Sequence, residues 1–287
     1  MAQHTKPAQE NDMRGKVCLV TGANSGIGKS TAYGLAARGA EVILACRNLQ
    51  KAEQVAEEIR ATTGNSAVTV HHLDLAHFSE IRESAKAFVA SGKRLDVLIN
   101  NAGLAGQRGL TPEGYELAFG TNHLGPFLFT LLVEPTLADG SRVVMVASDS
   151  HKLAKQGIDF DAVRQSTRSV TGLPEYGVSK LANILFAKEL GRRLADRDIT
   201  TYSLNPGRIA SNIWKRVPWP VRLIMKRFMK TNDEGAMTSL MCACNSALGK
   251  QSGLYYNQGV EETPTTWALD QDLATELWER SSEMVGL

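Results

Sequence analysis

Short apolar runs alternate with amphipathic segments from Lys16 onward, and this alternation constrains the fold more than any other feature. The apolar runs are 17–20, 42–45, 68–71, 96–99, 142–147, 200–204 and 253–256. Helical spacing is found at 28–38, 51–62, 79–91, 113–139, 175–196 and 233–247, with an interruption near Gly125-Pro126. Continuous apolar strands separated by helices are typical of a parallel sheet that is covered on both faces. The sequence therefore predicts an α/β fold with a doubly wound parallel sheet of about seven strands.

The composition limits the class of protein. The 287 residues carry a formal charge of +2, and this near-neutral balance does not favour a nucleic-acid binder. The cysteines and histidines lack metal-binding spacing. Residues 1–12 are polar and lack the apolar core of a signal peptide, and no window is apolar over the ~20 residues of a membrane span. We expect a disordered tail over 1–13, a single domain over 14–287 and a cytoplasmic location, with no metal.

A glycine-rich turn joins the first predicted strand to the first predicted helix. It reads Thr-Gly-Ala-Asn-Ser-Gly-Ile-Gly at 21–28. Glycines permit a tight turn and the close approach of a pyrophosphate, and the helix supplies its N-terminal amides. The spacing differs from that of the general dinucleotide fingerprint, but the strand before it and the helix after it favour a dinucleotide site. The residues predicted to form it are Gly22, Asn24, Ser25, Gly26, Ile27 and Gly28.

The end of the second strand predicts which dinucleotide the site prefers. An NAD site usually places Asp or Glu about 20 residues after the glycine turn. Here Cys46 stands at that place and is followed by Arg47 and Asn48. An uncharged residue removes repulsion toward a 2′-phosphate, and a guanidinium can bind that phosphate in a forked geometry. We therefore predict NADP(H); the alternative is an ordinary surface arginine and an NAD(H) site.

The next two strands end in further candidate cofactor residues. Asp74 and Leu75 close the third strand and are placed to meet the adenine, with a helix cap as the alternative for Asp74. Asn101, Ala102 and Gly103 follow the fourth strand. The small pair Ala102-Gly103 lets a cofactor lie against the backbone.

An ordered set of segments resembles the short-chain dehydrogenase/reductase family. These are the turn at 21–28, Asn-Asn-Ala-Gly at 100–103, Tyr-Gly-Val-Ser-Lys at 176–180 and Asn-Pro-Gly at 205–207. Leu-Ala-Cys-Arg at 44–47, Asn-His-Leu-Gly at 122–125 and Ser-Lys-Leu-Ala-Asn at 179–183 are similar to the retinol dehydrogenase and WW-domain oxidoreductase branch. The resemblance spans residues 15–287. It implies a Rossmann-type domain that transfers hydride between NADP(H) and a carbonyl or alcohol.

Tyr176 and Lys180 are the predicted acid/base pair. They are four residues apart on a predicted helix, so their side chains share one side of it. A phenol has a pKa of ~10 and is a poor base at neutral pH. A nearby ammonium and the positive nicotinamide of the oxidised cofactor favour phenolate, which suits acid/base chemistry. The resemblance implies that Tyr176 moves the proton and that Lys180 also holds the nicotinamide ribose.

Other site residues follow from the family positions alone. Ser148 is expected to bind and polarise the substrate oxygen, with Ser150 as the alternative because the gap to Tyr176 is long. Asn122 is expected to lie at a helix irregularity and to support a water chain to Lys180; a helix cap is the alternative. The nicotinamide amide is expected to contact the turn and loop residues Pro206, Gly207, Ile209 and Ser211.

A basic, tryptophan-containing stretch over 214–230 follows that turn. It is interpreted as part of a lid over 208–232, and the alternatives are contact with an anionic membrane surface or a solvated basic face. Apolar residues there, with Leu104, Leu153 and Leu173, favour a lipophilic retinoid-, steroid- or polyketide-like substrate. The resemblance also raises a homodimer through the Tyr176 helix. The competing functions are an NADP(H)-binding sensor or scaffold without turnover and an NAD-linked alcohol dehydrogenase.

Overall fold

One sheet contains all eight strands of the described chain. The strands are β1 Val17–Thr21, β2 Glu41–Cys46, β3 Val68–His72, β4 Leu95–Asn100, β5 Leu137–Val146, β6 Thr200–Asn205, β7 Leu254–Asn257 and β8 Val260–Glu261. The computed structural model describes residues 12–207, 230–248 and 251–287. Across the sheet the order is β3-β2-β1-β4-β5-β6-β7-β8, and only the β7–β8 pair is antiparallel. The predicted doubly wound parallel sheet is confirmed, with a short antiparallel edge strand that the sequence analysis did not include.

Helices cover both faces of this sheet. They are α1 Gly26–Ala36, α2 Leu49–Thr63, α3 Phe78–Ala90, α4 Leu117–Phe119, α5 Gly125–Val133, α6 Leu173–Arg193, α7 Asn232–Cys244, α8 Thr266–Leu269 and α9 Gln271–Val285. Successive residues of a strand point to opposite faces. In β1, Leu19 packs with the core that includes α3, α5, α6 and α9, whereas Cys18 and Val20 pack with the core of α1, α2 and α7. The two apolar layers explain why β1 and β2 are nearly continuous apolar runs, although β4 and β6 also contain polar residues.

The helix predicted over 113–139 is wrong in its extent. The structure has α4, then the π-helical segment Gly120–Leu124, then α5, and the chain is already in β5 from Leu137. Pro135 lies in a short 3-10 turn after α5, because proline cannot continue the hydrogen-bond ladder of a helix. The predicted interruption near Gly125 is real and coincides with the end of the π-helical segment.

The C-terminal helix α9 packs across α6 and α5. Its Trp278 ring lies 5.2 Å from the Phe127 ring and 5.9 Å from the Phe186 ring, and the Arg193 guanidinium lies 4.3 Å from the indole. No helix was predicted for this region. Because α9 covers α6 around Phe186 and Arg193, a dimer through that part of α6 would have to displace it.

The predicted tail and lid lie mostly outside the described residues. At the first boundary, Met13 is buried and its amide donates to the Arg38 carbonyl oxygen (3.0 Å). The last lid residues lead into α7, where Thr231 and Glu234 form a capping box. Ile209, Ser211 and the stretch 214–229 lie outside the described residues, and their roles stay predictions. Within the described ranges, no helix combines the length and the apolar character needed to span a membrane.

Candidate active site

The carboxyl ends of the parallel strands place the predicted site residues along one edge of the sheet. The chain leaves β1 for β2 on one side, while β4 lies on the other side of β1, so the strand order reverses between β1 and β4. Open α/β sheets bind ligands in the crevice at such a point. Thr21 ends β1, Asn100 ends β4, and Val146 and Asn205 end β5 and β6. The glycine turn and the catalytic candidates therefore meet at one crevice.

The glycine turn is shaped by close backbone approach. Gly22 has φ +67°, and a Cβ there would lie 3.0 Å from Ala102. At Gly28 a Cβ would lie 2.6 Å from the Gly22 carbonyl oxygen and 2.4 Å from Asn101 Nδ2. Only glycine lets α1 begin this close to the end of β4. In the described part of the chain the Ser25 side chain makes no capping hydrogen bond to α1, so the first-turn amides are available to a pyrophosphate.

Thr21 joins this turn to the loop after β4. It was not among the predicted site residues. Its Oγ1 accepts hydrogen bonds from the amides of Asn101 (3.0 Å) and Ala102 (2.9 Å). Asn101 Nδ2 donates in return to the Thr21 carbonyl oxygen (2.8 Å). A buried threonine at the last position of an apolar strand was the available signal, because a buried hydroxyl needs partners.

The residues expected at the adenine ribose lie together at the ends of β2 and β3. Arg47 Nε lies 3.6 Å from Asp74 Oδ2, and the arginine side chain is 75% exposed. Asp74 is buried, and its Oδ1 accepts from the Ala76 amide (3.0 Å). The N-cap position of α3 is occupied by His77, so the alternative of Asp74 as the helix cap is wrong. Asn48 caps α2 by accepting from the Lys51 amide (2.8 Å). Leu75 is buried beneath α5, where its carbonyl oxygen packs against Gly125.

Lys180 and Tyr176 share one side of α6, as predicted. Lys180 Nζ lies 5.5 Å from the centre of the Tyr176 ring and donates to the Val146 carbonyl oxygen (2.7 Å). The lysine is buried, and desolvation lowers its pKa to about 8. For Tyr176, burial is the larger influence and raises the pKa of the phenol, while a hydrogen bond with Ser148 opposes the rise. The phenol is therefore protonated at neutral pH, which is the form that can donate a proton to a carbonyl.

Of the two candidate serines, Ser148 is the one beside Tyr176. Its side chain lies near enough to the Tyr176 phenol to lower the pKa of that group, and it also accepts from the Ser150 amide (3.1 Å). Gly177 lets the turn that contains Ser150 approach α6, because a Cβ at position 177 would lie 2.6 Å from the Ser150 carbonyl oxygen. The turn Asp149–Leu153 thus packs directly on the first turn of α6.

The His151 side chain hydrogen-bonds to the backbone of Ser148, and this contact was not predicted from the sequence. The ring is buried; Nδ1 donates to the Ser148 carbonyl oxygen (2.8 Å), and Nε2 accepts from the Thr265 amide (3.4 Å). This pattern requires the neutral ring with its hydrogen on Nδ1. Burial lowers the pKa of His151, which favours the neutral form. The ring therefore ties Ser148 to the segment before α8.

Asn122 lies in the π-helical segment, at the helix irregularity that was predicted. Its Oδ1 accepts from the Leu104 amide (2.8 Å), and Nδ2 donates to the Leu104 carbonyl oxygen (2.9 Å) and to Ser179 Oγ (3.0 Å). A Cβ at Gly103 would lie 3.1 Å from Asn122 Oδ1 and 3.5 Å from Lys180 Nζ. The side chain thus fastens the loop after Gly103 beside Lys180, and its role in a water chain stays a prediction.

Pro206 and Gly207 follow β6 at the same edge. Gly207 has φ +93°, and its amide donates to Asn205 Oδ1 (3.2 Å). Asn205 Nδ2 donates to Asn257 Oδ1 (2.8 Å), which links this turn to β7. The glycines at 22, 28 and 103 let the glycine turn, the loop after β4 and the side chains of Asn122 and Lys180 approach one another closely at the crevice. These residues fit a nicotinamide dinucleotide.

Known proteins are similar to this chain in sequence. The short chain dehydrogenase family model matches residues 16–159. Retinol dehydrogenase 11 of Homo sapiens is 43% identical over 281 residues, which cover 95% of this chain and 86% of that protein. Dehydrogenase/reductase SDR family member 13 of Homo sapiens is 41% identical over 288 residues, with 96% and 74% covered.

Solved structures of other proteins superimpose on this chain. An uncharacterised Mycobacterium paratuberculosis protein superimposes with a TM-score of 0.78 at 31% identity, covering 97% of this chain and 96% of that one. A Shigella flexneri short chain dehydrogenase complexed with NADP has the same fold, with a TM-score of 0.69 at 24% identity and coverage of 87% and 99%. The chain therefore belongs to the short-chain dehydrogenase/reductase family of oxidoreductases and resembles the retinol dehydrogenases within it.

Proposed function

We propose that this protein interconverts a carbonyl and an alcohol on a lipophilic substrate, with NADP(H) as the hydride carrier. The observation that carries the proposal is the grouping of Tyr176 with Ser148, which lowers the pKa of the phenol, and with Lys180, whose Nζ lies 5.5 Å from the phenol ring centre. These groups lie next to the crevice between β1 and β4 where the dinucleotide residues meet. The cofactor supplies or accepts the hydride.

Each of the three side chains has a distinct task in reduction. The Tyr176 phenol is protonated at neutral pH and donates its proton to the substrate oxygen. Ser148 donates a hydrogen bond to the same oxygen and holds it within reach of the phenol. Lys180 keeps its ammonium buried between the strand end and the phenol ring and holds the nicotinamide ribose. In the oxidative direction, the positive charge of the oxidised nicotinamide favours phenolate, as the reaction then requires.

Arg47 is the proposed selector for NADP(H). Its side chain is largely exposed at the end of β2, so the guanidinium can reach a 2′-phosphate. Because a charged hydrogen bond contributes about 1.5–3 kcal/mol, we expect Arg47→Ala to lower kcat/KM for NADPH by ~10- to 100-fold and to leave that for NADH within about twofold. Steady-state kinetics with both cofactors measures this change.

Arg94→Ala is the matched control for Arg47→Ala. Arg94 is exposed just before β4, at the opposite edge of the sheet, and its loss should alter neither cofactor's kinetics. The Asp74 carboxylate 3.6 Å from Arg47 favours the competing NAD-linked function, because it partly neutralises the guanidinium. A wild-type preference for NADH that persists in Arg47→Ala would decide for that function.

The lipophilic substrate is tested with the wild-type protein. Relatives named retinol dehydrogenases and large apolar side chains exposed near Tyr176 support this part of the proposal. NADPH oxidation should be faster with retinal-like, steroid and long-chain carbonyl compounds than with small charged ones, and efficient turnover only of small charged carbonyls would contradict it. Cytoplasmic location, membrane contact through 214–230 and a homodimer stay predictions.

A further inference from the structure

Two loops flank the approach to Tyr176. We name residues 104–116 the front loop and residues 159–172 the back loop. The front loop starts beside Lys180 at Gly103, and the back loop runs into α6, where the Tyr176 amide donates to the Gly172 carbonyl oxygen (3.1 Å). The loops touch, because a Cβ at Gly172 would lie 2.8 Å from the Gln107 carbonyl oxygen. A shift of either loop therefore moves backbone that adjoins Lys180 or the first turn of α6, which carries Tyr176.

A buried carboxyl group joins the two loops. Glu116 is 3% exposed, and its Oε1 accepts from Thr167 Oγ1 (2.5 Å), while Oε2 accepts from the Phe119 amide (2.8 Å). The Thr167 hydroxyl also accepts from the Gly109 amide (3.0 Å). The Glu116 amide donates to the Val163 carbonyl oxygen (2.8 Å). Thr167 lies on the back loop, and its hydroxyl bonds to the Gly109 amide and the Glu116 carboxylate of the front loop. This hydroxyl therefore links the two loops.

Such a network is costly to bury and sensitive to the loss of any member. Burial raises the pKa of Glu116, which shows the cost of placing the carboxylate there. A fully bonded buried network fixes one geometry, and the loss of one partner leaves others unpaired. The Glu116–Thr167 contact therefore fixes the distance between the loops more sharply than apolar packing would.

The rim next to these loops is apolar. Leu110 on the front loop and Val170 on the back loop are 46% and 86% exposed. Leu153, in the turn that packs on α6, and Leu173, at the start of α6, are also exposed. Large apolar side chains exposed on these loops and at the start of α6, which carries Tyr176, are suited to a substrate whose carbonyl enters the crevice and whose hydrocarbon part remains at the rim.

We propose that Glu116 and Thr167 are positioning residues that set the separation of the front and back loops, and that this separation determines how long an apolar substrate the cleft accepts. The inference rests on the proposed function, since it names the residues that select among its lipophilic substrates. Neither side chain touches the reacting atoms; both act through the loops that carry Leu110 and Val170.

The test compares Thr167→Val with Thr167→Ser on aldehydes of increasing chain length, with NADPH in excess. Valine has the size of threonine but lacks the hydroxyl, whereas serine keeps the hydroxyl. In Thr167→Val we expect KM for long-chain aldehydes to rise about tenfold, the scale of a misplaced apolar contact in a substrate pocket, with kcat for short aldehydes within about twofold of wild type. Thr167→Ser should keep the wild-type profile, and so should Glu116→Gln, whose amide can still bond to the hydroxyl.

Two outcomes would overturn the inference. One is an unchanged chain-length profile in Thr167→Val, and the other is an equal loss of kcat for all aldehydes, which indicates a merely structural role. If Thr167→Val does not fold, Thr167→Ala removes the hydroxyl without placing a methyl group against the carboxylate, and the same profile is measured. If wild type reduces no aldehyde in the series and oxidises no alcohol, the proposed function fails; if wild type is active and the profile does not respond, only this inference fails.

Discussion

Tyr176→Phe is expected to lower kcat by about a thousandfold, within the 10²–10⁴-fold range that a positioned general acid contributes. The phenol is the group that Ser148 and Lys180 flank, and phenylalanine keeps the ring while removing the proton that the reaction needs. Cofactor binding should persist, because the glycine turn and Arg47 are untouched. The measurements are single-turnover NADPH oxidation for the chemical step and fluorescence titration for the Kd of NADPH, which should change less than about threefold.

The controls separate the catalytic role from a general effect of losing a hydroxyl. Tyr33→Phe makes the same chemical change at an exposed position of α1 and should leave kcat unaltered. Ser148→Ala should approach the loss seen in Tyr176→Phe, whereas Ser150→Ala should retain most activity, since only the Ser150 backbone takes part in the observed contacts. A Tyr176→Phe enzyme with wild-type kcat would refute the acid role. Tight NADPH binding by a wild-type protein that turns over no substrate would favour the sensor or scaffold.

The fold could be predicted because its signals are local. Strands β1 and β2 are short, nearly continuous apolar runs, and the glycines at 22, 26 and 28 mark a turn that few other residues allow. The four-residue spacing from Tyr176 to Lys180 fixes a shared side on any helix, so this pair needed no tertiary information. The order of these local signals along the chain identified the sheet and the crevice together.

The parts that could not be predicted depend on distant contacts. Glu116 reads as a surface residue of an amphipathic helix, and only its contact with Thr167, 51 positions later, makes it a buried link. His151 is held against the Ser148 backbone by a hydrogen bond from the Thr265 amide, which lies 114 positions later in the chain. The pKa of the Tyr176 phenol was expected to fall beside an ammonium, but desolvation is the largest influence on it and raises it, and spacing does not reveal desolvation.

Lys180→Met is expected to remove activity and to stabilise the fold at neutral pH. Burial lowers the pKa of Lys180 from 10.5 to about 8, so below pH 8 the folded protein carries a desolvated ammonium that the unfolded chain exposes to water. A difference of this size corresponds to about 3 kcal/mol. The loss of the hydrogen bond to the Val146 carbonyl oxygen offsets about 1 kcal/mol of the gain. The net expectation is a free energy of unfolding about 2 kcal/mol higher than wild type at pH 7.

The stabilisation expected in Lys180→Met depends on pH. Between pH 8 and 10.5 the unfolded chain still holds the lysine proton while the folded protein has lost it, so wild-type stability rises with pH in that window. The advantage of Lys180→Met should therefore be largest below pH 8 and should shrink toward pH 10.5. Urea unfolding followed by circular dichroism at several pH values measures it, and Lys188→Met, on the same helix but only partly buried, should gain less. A destabilised Lys180→Met protein at pH 7 would mean that the ammonium contributes more through its contacts than burial costs, and that Lys180 is kept for stability as well as for chemistry.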